Sequence, residues 1–568
     1  MRVRGLHHPQ RALRTGIEQQ IHVALGHLEE GSDGAERLRV QHEPIETPEP
    51  FDACVDDLER AIPIGNIGDE SEAVDADRAQ LCRGLFEALG LAPGDDESRA
   101  ESSKMLGETQ ADASGATGDD DDSSIEIVRG SRGHGGSVVS WAMATTWNPG
   151  PRPEWVEAVN AGLIVPIAVE AELPLSRDGL IGEALARQGR ADEGIAALCA
   201  PGPGTGDDFL EGLDIALASL ESEANLHLLG RWITRRFLLR LLEVRLQICD
   251  WVRSDPGVRD EEVAEPLFVV GAPRTGTTVL HALLSADHRH RVPLGWEFLR
   301  PVPPPTPATH EDDPRIALAD AELRGPQLVT GGLDAIHAYA GRMNKECLSA
   351  MSFAFRSEEF ISRYNTPSYI KWLQGCDMRP AYEMHRLVLQ ILQRRMPTQK
   401  WILKSPVHLH NLPVLLGVYP DAQLVITHRD PLAILGSVTS LIATLRWAHS
   451  DDVDTRVIGR YHADLYWRDL DGLVDLIDGD HLPHERIAHG SFVEFNRDGV
   501  GVVERMYEQL GIDLPSEVRV AMTDALAGSP REKHGDHSWS FEWLGLDDEE
   551  QRTRFQRYST RFDVGLTS

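Results

Sequence analysis

The chain contains the stretch Gly271-Ala272-Pro273-Arg274-Thr275-Gly276-Thr277-Thr278, and the segments on either side of it decide the fold. The preceding residues, 267–270, read Leu-Phe-Val-Val, a short apolar run typical of a buried parallel strand. The following residues, 279–284, are mostly apolar and can begin a helix. A glycine-rich turn between a strand and a helix directs several backbone N–H groups to one point, where the helix dipole also favours negative charge. The sequence therefore predicts a phosphate-binding loop.

The spacing of this loop is that of a P-loop, but its cation stands in an unusual place. Thr277 occupies the position of the Walker lysine, and Arg274 lies three residues earlier. The loop thus favours binding of a nucleotide phosphate and disfavours ordinary ATP hydrolysis. The hydroxyl groups of Thr277 and Thr278 are candidate donors to that phosphate, and N-capping of the following helix is a second role open to them.

Two further apolar runs predict additional strands. Residues 401–404 read Trp-Ile-Leu-Lys, so the first of these strands ends in Lys404. Residues 423–427 read Gln-Leu-Val-Ile-Thr and lead to Arg429. Ser437 follows Arg429 by eight positions, which a tight turn and two helical turns can bring to one point. Arg429 and Ser437 are therefore expected to donate to the same phosphate group.

Taken in order, these three elements resemble the sulfotransferase superfamily, most closely the bacterial enzymes of the tyrosylprotein-sulfotransferase-like branch. The residues similar to the family's 5′-phosphosulfate loop are Pro273, Arg274, Thr275, Gly276, Thr277 and Thr278. Arg429 with Ser437 is similar to the 3′-phosphate motif, including its spacing, and Lys404 is similar to the lysine that ends the preceding strand. The resemblance covers roughly residues 176–568.

The resemblance implies an α/β fold of the P-loop-like, three-layer type with a central parallel sheet. It also implies transfer of a sulfonate group from 3′-phosphoadenosine 5′-phosphosulfate (PAPS) to a hydroxyl group or an amine. The product nucleotide would be adenosine 3′,5′-bisphosphate, and no metal is expected. Arg274 and Lys404 would offset the charge on the leaving phosphate. Many relatives carry lysine at the position of Arg274, where an arginine acts as a fixed charge and a bidentate donor.

Two residues are candidates for the base that removes the acceptor's proton. Glu297 follows the first helix, where the tyrosylprotein-sulfotransferase-like enzymes place a catalytic glutamate, and it is the preferred candidate. His408 lies four residues after Lys404, whereas cytosolic sulfotransferases have a histidine two residues after the lysine. The alternatives are helix capping or an ion pair for Glu297, and packing between helices for His408.

A basic segment near the end of the chain resembles part of the glycine loop that covers the 3′-phosphate in cytosolic sulfotransferases. It reads Arg-Glu-Lys-His-Gly at residues 531–535. Lys533 and Gly535 are therefore candidates for nucleotide binding. An exposed basic turn is the alternative interpretation.

The sequence predicts three parts. Residues 1–142 include a strongly acidic segment, 91–130, with 11 acidic and 3 basic residues, which is too polar to offset the entropy of ordering. We interpret this part as a disordered extension, with the biological start near Met143, and an acidic regulatory tail is the alternative. Residues 143–262 have helical periodicity and are expected to form a cap region that contributes to acceptor choice or to a homodimer. Residues 263–568 form the expected catalytic domain.

The composition limits the remaining function classes. With 568 residues, of which 41% are hydrophobic, the chain can bury a large core. A net charge of −34 argues against a nucleic-acid partner, because binding phosphates needs clustered cations. No run approaches the roughly 18 apolar residues of a membrane span, and the six cysteines include no Cys-x-x-Cys pair. A cytoplasmic protein that acts on a small-molecule, lipid or glycan acceptor is the expectation.

Two groups of residues have both a structural and a functional interpretation. The arginines of one predicted helix are expected on its solvated side, an anion site being the alternative: Arg235, Arg236, Arg240 and Arg245. The aromatic residues before Lys404 are expected in the core, an apolar acceptor pocket being the alternative: Phe353, Phe355, Phe360, Tyr364, Tyr369 and Trp372.

Two other functions remain open from the sequence. The first is a P-loop kinase of a nucleotide or small molecule, in which Asp430 would hold magnesium. The second is a catalytically inactive module that binds a nucleotide.

Overall fold

The computed structural model describes residues 147–330, 340–396, 399–527 and 540–565. The predictions for residues 1–142, for Lys533 and for Gly535 concern parts of the chain outside the described residues.

A sheet of parallel strands forms the centre of the molecule. Its strands are β1 (Leu267–Val270), β2 (His290–Arg291), β3 (Lys400–Lys404), β4 (Gln423–His428) and β5 (Ile487–Ser491). They lie in the order β2-β3-β1-β4-β5, and every pairing is parallel. Crossover connections put helices on the faces of such a sheet, so its strands are apolar on both sides.

The central strand β1 shows that helices cover both faces. Its four side chains are all buried, and they alternate between two separate hydrophobic clusters. Phe268 and Val270 belong to the larger cluster, whereas Leu267 and Val269 belong to the smaller one. Successive side chains of a strand point to opposite faces, so these clusters are the two outer interfaces of a three-layer arrangement. The predicted α/β fold with a central parallel sheet is confirmed.

The described helices are α1 (Glu154–Asn160), α2 (Val165–Glu172), α3 (Arg177–Arg187), α4 (Phe209–Ser222), α5 (Leu228–Ser254), α6 (Thr277–Ser285), α7 (Gly295–Leu299), α8 (Arg315–Val329), α9 (Leu348–Met351), α10 (Glu358–Arg363), α11 (Pro367–Leu373), α12 (Arg379–Gln393), α13 (Leu412–Val418), α14 (Pro431–Trp447), α15 (Thr455–Asp478), α16 (Phe492–Gln509), α17 (Ser516–Ala527), α18 (Phe541–Leu544) and α19 (Asp548–Phe562). Helices α6, α16 and α17 supply the smaller cluster. The larger cluster includes residues of α3, α4 and α5 as well as residues of β1, β3 and β4.

Helix α5 is long and largely buried, and three of its four arginines named above are buried rather than solvated. Arg235, Arg240 and Arg245 are buried, whereas Arg236 is exposed, as expected, and pairs with Glu170. Arg245 donates to the carbonyl oxygens of Leu198, Phe353 and Gly206, at 3.0, 3.0 and 2.5 Å. Three of these side chains therefore join loops and helices inside the protein, because their guanidinium groups satisfy buried carbonyl and carboxylate oxygens.

None of the helices in the described ranges combines the length and the apolar character that a bilayer crossing requires.

Candidate active site

The loop between β1 and α6, residues 271–276, is fastened to the neighbouring strand β4. Gly271 has φ of 152°, and a Cβ atom there would lie 2.4 Å from Thr427 Oγ1, so only glycine fits. The hydroxyl group of Thr275 contacts Thr427 Oγ1 at 2.6 Å and donates to the carbonyl oxygen of Ala272 at 2.7 Å. The loop is thereby held in one shape at the carboxyl edge of the sheet.

Helix α6 begins with Thr277, after Gly276 in the left-handed conformation. The N-cap residue is thus a glycine, and Thr277 and Thr278 are the first two helical residues. Their predicted capping role does not apply, because the capping side chain belongs to the residue before the helix. The N–H groups of the first turn have no partner within a helix, which makes this end suited to an anion.

Arg274, Arg429 and Ser437 meet beside this loop. Arg274 Nε donates to Ser437 Oγ at 2.9 Å, and Arg429 Nη1 donates to the carbonyl oxygen of Arg274 at 2.7 Å. The guanidinium group of Arg429 also lies over the ring of Phe492, 4.0 Å from its centroid. Burial and then the charge of Arg274 lower the pKa of Arg429 from its usual value. The structure therefore brings together three residues that were predicted from two distant parts of the sequence.

Lys404 is the last residue of β3 and reaches the start of α6. Its Nζ atom lies 3.5 Å from Thr278 Oγ1 and 2.5 Å from a carboxylate oxygen of Glu346. The Lys404 side chain is only 4% exposed, whereas that of Glu346 is 23% exposed. Close to both, His281 is buried, and burial followed by the charge of Lys404 lowers its pKa to about 3. A lysine, a carboxylate and a hydroxyl group thus share one side of the loop.

Glu297 lies in a buried ion pair. Its side chain is fully buried, Arg291 Nη2 donates to it at 2.5 Å, and the N–H group of Leu294 donates to it at 3.0 Å. His310 Nε2 lies 3.3 Å from the same carboxylate. Burial raises the pKa of Glu297, but the charges and hydrogen bonds of Arg291 and His310 outweigh burial and lower it overall. The carboxylate caps its own helix α7 and stays ionised.

His408 is buried in the core under β1. Its Nδ1 atom lies 2.9 Å from the hydroxyl group of Tyr382, and its ring packs edge-on against Phe268 with centroids 5.0 Å apart. Burial holds the pKa of His408 well below its usual value. The side chain is 0% exposed and neutral, which favours the packing interpretation.

Comparison with known proteins agrees with this geometry. The sequence model described as "Sulfotransferase family" matches residues 266–516. Sulfotransferase STF1 from Mycobacterium tuberculosis is 29% identical, with a TM-score of 0.57, over 67% of this chain and 98% of that structure. Sulfotransferase STF9 from Mycobacterium avium is 28% identical, with a TM-score of 0.60, over 70% and 98%. The chain is therefore similar to the sulfotransferase superfamily in both sequence and fold.

Curated relatives in this superfamily include one enzyme from two mycobacteria. The "Omega-hydroxy-beta-dihydromenaquinone-9 sulfotransferase Stf3" of Mycobacterium bovis and of Mycobacterium tuberculosis is 29% identical to this chain over 260 residues. The match covers 44% of this chain and 63% of each relative. The chain thus spans less than two thirds of the length of these curated relatives.

A cavity of about 160 Å³ lies near the proposed site in this sulfotransferase fold. Val407, which lines it, follows Lys404 by three positions, so their Cα atoms are at most about 11 Å apart. Apolar side chains in its wall include Met351, Ile361, Leu373, Val407 and Leu465. His410 forms part of its polar wall, between Glu358 at 3.0 Å and Asp469 at 2.5 Å.

The aromatic cluster before Lys404 packs as core. Five of its six members are at most 1% exposed, and Trp372 packs against them from the edge of the cluster: Phe353, Phe355, Phe360, Tyr364 and Tyr369. None of the six is among the residues that line the cavity described above. Their buried positions favour the structural interpretation.

Sequence reasoning missed Glu346 and His410. Glu346 lies in the segment before the four-residue helix α9, without a neighbouring strand or a repeated spacing. No local signal marks such a residue, because only the crossing of this segment over the end of β3 brings it to Lys404. His410 lies two residues after His408, and local sequence does not show that the two rings have different surroundings.

The described residues also bear on the kinase alternative. Asp430, the candidate magnesium ligand, caps helix α14 by accepting from the N–H group of Leu432 at 3.0 Å. Within the described ranges, no group of three or more His, Cys, Asp or Glu side chains is arranged to hold a metal ion.

Proposed function

We propose that this protein transfers the sulfonate group of PAPS to a hydroxyl group of an acceptor. One observation carries the proposal: Arg274, Ser437 and Arg429 meet at the loop before α6. In a PAPS-binding protein, donors for the two ends of the nucleotide must lie at fixed positions relative to one another. Contact between the loop arginine and the two residues of the other motif is what such a site requires.

The residues present fit a nucleotide with a phosphate at both ends. Arg429 is partly desolvated and faces the charge of Arg274, a state that a bound anion would stabilise. We assign Arg429 and Ser437 to the 3′-phosphate. We assign the loop from Pro273 to Thr278, with the N-terminus of α6, to the 5′-phosphate.

The transfer needs charge compensation at the oxygen that leaves the sulfur atom. PAPS supplies the sulfonate group, attached to its 5′-phosphate. Arg274 within the loop and Lys404 beside it would offset the charge that develops on the phosphate oxygen. Thr277 and Thr278 would donate their hydroxyl groups to the same phosphate. Glu297 and His408 as the base, and Lys533 and Gly535 as nucleotide ligands, stay predictions.

We propose an apolar alcohol as the acceptor. Two observations support this class: the name of the curated relative describes an ω-hydroxylated menaquinone as its substrate, and a cavity whose wall is apolar in part is lined by Val407, whose Cα atom lies within about 11 Å of that of Lys404 by chain length. Burial of apolar surface would hold such a molecule while its hydroxyl group stays outside the apolar wall.

Nucleotide specificity provides the first test. Calorimetry should show tight binding of adenosine 3′,5′-bisphosphate and weak binding of adenosine 5′-phosphate and ATP, because Arg429 and Ser437 need the 3′-phosphate as their acceptor. Incubation with radiolabelled PAPS and a prenyl alcohol such as geranylgeraniol should then give a labelled sulfate ester. Equal affinity for the three nucleotides would contradict the proposal and favour the kinase alternative. Specific binding without transfer to any alcohol would favour the inactive module.

A further inference from the structure

The carboxylate of Glu346 lies close to the loop of residues 271–276, on the side where Lys404 approaches the start of α6. It contacts Lys404 Nζ at 2.5 Å, and the same nitrogen lies 3.5 Å from Thr278 Oγ1 on the first turn of α6. The segment that carries Glu346 is fixed there by the backbone, since the N–H group of Cys347 donates to the carbonyl oxygen of Lys404 at 3.0 Å. Glu346 is therefore attached to the end of β3 through both its side chain and its neighbour's backbone.

Glu346 also combines fixed position with access. Its side chain is 23% exposed, whereas Glu297 is fully buried with its oxygens engaged by Arg291 and the N–H group of Leu294. The two buried histidines near the loop, His281 and His408, are 2% and 0% exposed. A base must come within hydrogen-bond reach of the proton it removes, and the partly exposed side chain of Glu346 is accessible to a substrate, whereas that of Glu297 is enclosed.

We propose that Glu346 is the general base that removes the proton of the acceptor hydroxyl group. This assignment rests on the sulfonate transfer proposed above. The acceptor oxygen forms a bond to sulfur, and the bond between sulfur and the bridging phosphate oxygen breaks. The electron pair of the broken bond stays on that phosphate oxygen, the acceptor's proton passes to the Glu346 carboxylate, and the proton is then released to water.

Contact with Lys404 gives this carboxylate a second property. The ammonium group contacts the carboxylate directly and so fixes its position at the end of β3. Lys404 also lies beside Thr278, where we place the 5′-phosphate, so one cation links the group that gains a proton with the group that gains charge. The pair of Lys404 and Glu346 thus serves both the deprotonation of the acceptor and the departure of the phosphate.

If Glu346 has only a structural role, the expected results differ from those for a general base. Three variants distinguish these two roles. Glu346→Gln keeps the shape and removes the basicity. Glu297→Gln does the same at the buried pair. Glu265→Gln is the matched control, because Glu265 pairs with Lys400 at the opposite end of β3, away from the loop.

The variants are compared in three measurements. The first is turnover with radiolabelled PAPS and geranylgeraniol, the second is calorimetric affinity for adenosine 3′,5′-bisphosphate, and the third is the pH profile of kcat/KM. We expect Glu346→Gln to lower turnover about 10²-fold or more, with the affinity changed less than threefold and the acidic limb of the pH profile lost. Other charged or titratable groups close to Glu346 are Lys404, Lys345, Cys347, His281 and Tyr466, and they are unchanged in this variant.

Glu265→Gln should leave all three measurements as in the wild type, and Glu297→Gln should keep the acidic limb. The inference is overturned if Glu346→Gln keeps its acidic limb or turns over within tenfold of the wild type. It is also overturned if Glu346→Gln loses turnover together with affinity for adenosine 3′,5′-bisphosphate, because that result indicates a structural role. A wild type that binds the bisphosphate but transfers no sulfonate contradicts the proposed function itself, and with it the base that depends on it.

Discussion

Arg429 is the single side chain on which nucleotide specificity should depend most. Its guanidinium group is held by the carbonyl oxygen of Arg274 and by the ring of Phe492, so it is oriented before any ligand binds. Such an arrangement reduces the entropy that a long side chain loses when it forms a new hydrogen bond.

We expect Arg429→Ala to weaken binding of adenosine 3′,5′-bisphosphate by about 2 kcal/mol or more, roughly 30-fold, since a charged hydrogen bond is lost. Binding of adenosine 5′-phosphate, which lacks the group that Arg429 recognises, should barely change. Calorimetry with both nucleotides measures the difference. Arg505→Ala on the exposed face of α16 is the control, and a similar loss for both nucleotides would argue against recognition of the 3′-phosphate.

His410 should make stability depend on pH. Burial disfavours its charge, but the carboxylates of Glu358 and Asp469 outweigh burial and hold the pKa of His410 well above its usual value. A raised folded-state pKa adds stability that is complete below the unfolded-state value of about 6.5 and is lost as pH rises through the folded-state pKa.

The free energy of unfolding of the wild type should therefore exceed that of His410→Gln most at pH 6, and the gap should narrow toward pH 9. Urea unfolding of both proteins at these two pH values measures it. A gap of constant size would mean that His410 contributes by packing alone, without a change of charge.

The start of α5 makes a close backbone contact with another part of the chain. A Cβ atom on Gly230 would lie 1.9 Å from the carbonyl oxygen of His449, in the turn after α14. The N–H group of His227 donates to the same oxygen at 3.2 Å. Helix α5 and the turn after α14 are thus in direct backbone contact, which only glycine allows.

Gly230→Ala should lower the free energy of unfolding by at least about 2 kcal/mol, because backbone must move to make room. Gly182→Ala is the matched control: Gly182 is an exposed position of α3 with no atom within 4 Å of the added methyl group. That change should instead add about 0.5–1 kcal/mol through helix propensity. Thermal unfolding of the two variants compares them, and equal effects would contradict the close contact.

The strands divide into those that local sequence predicts and those that it does not. Strands β1, β3 and β4 lie in the middle of the sheet and are continuous apolar runs, so composition alone indicated them. The outer strands β2 and β5 were missed, since β2 has two residues and β5 reads Ile-Ala-His-Gly-Ser. Edge strands are short and polar, and only pairing with a neighbour identifies them.

The larger hydrophobic cluster joins regions that the sequence analysis assigned to separate parts. Leu238 and Leu242 of α5 belong to the same cluster as Phe268 of β1 and Leu403 of β3. Arg245 ties α5 to Phe353 by a buried hydrogen bond. Removal of the helical region would expose much of this cluster.

We therefore expect the isolated segment 263–568 to lack a cooperative unfolding transition, whereas the segment 147–568 should unfold cooperatively. Circular dichroism during heating, with near-ultraviolet signals as the report on packing, distinguishes the two. A cooperative transition in the shorter segment would support an independent catalytic domain with the boundary near residue 263.

The candidate site was predicted in the places where residues are adjacent in sequence to a strand end. Gly271, Lys404 and Arg429 each lie at or just beyond the carboxyl end of a strand, where α/β sheets bind ligands. Glu346 and the surroundings of Glu297 were beyond sequence reasoning, since an ion pair between segments depends on how the chain crosses over itself. Burial and ion-pair partners were not predictable from local sequence either: burial lowers the pKa of both histidines, and the carboxylates of Glu358 and Asp469 outweigh it only at His410.

The meeting of Arg274 and Arg429 has a practical consequence for handling the protein. Two guanidinium groups close enough to depress one pKa repel each other, so any multivalent anion that reaches them stabilises the folded chain by mass action. Phosphate and sulfate are in this sense ligands rather than inert buffer components. Purification in either salt would mask part of the thermal shift caused by the nucleotide, and it would make a weak competitor look inactive.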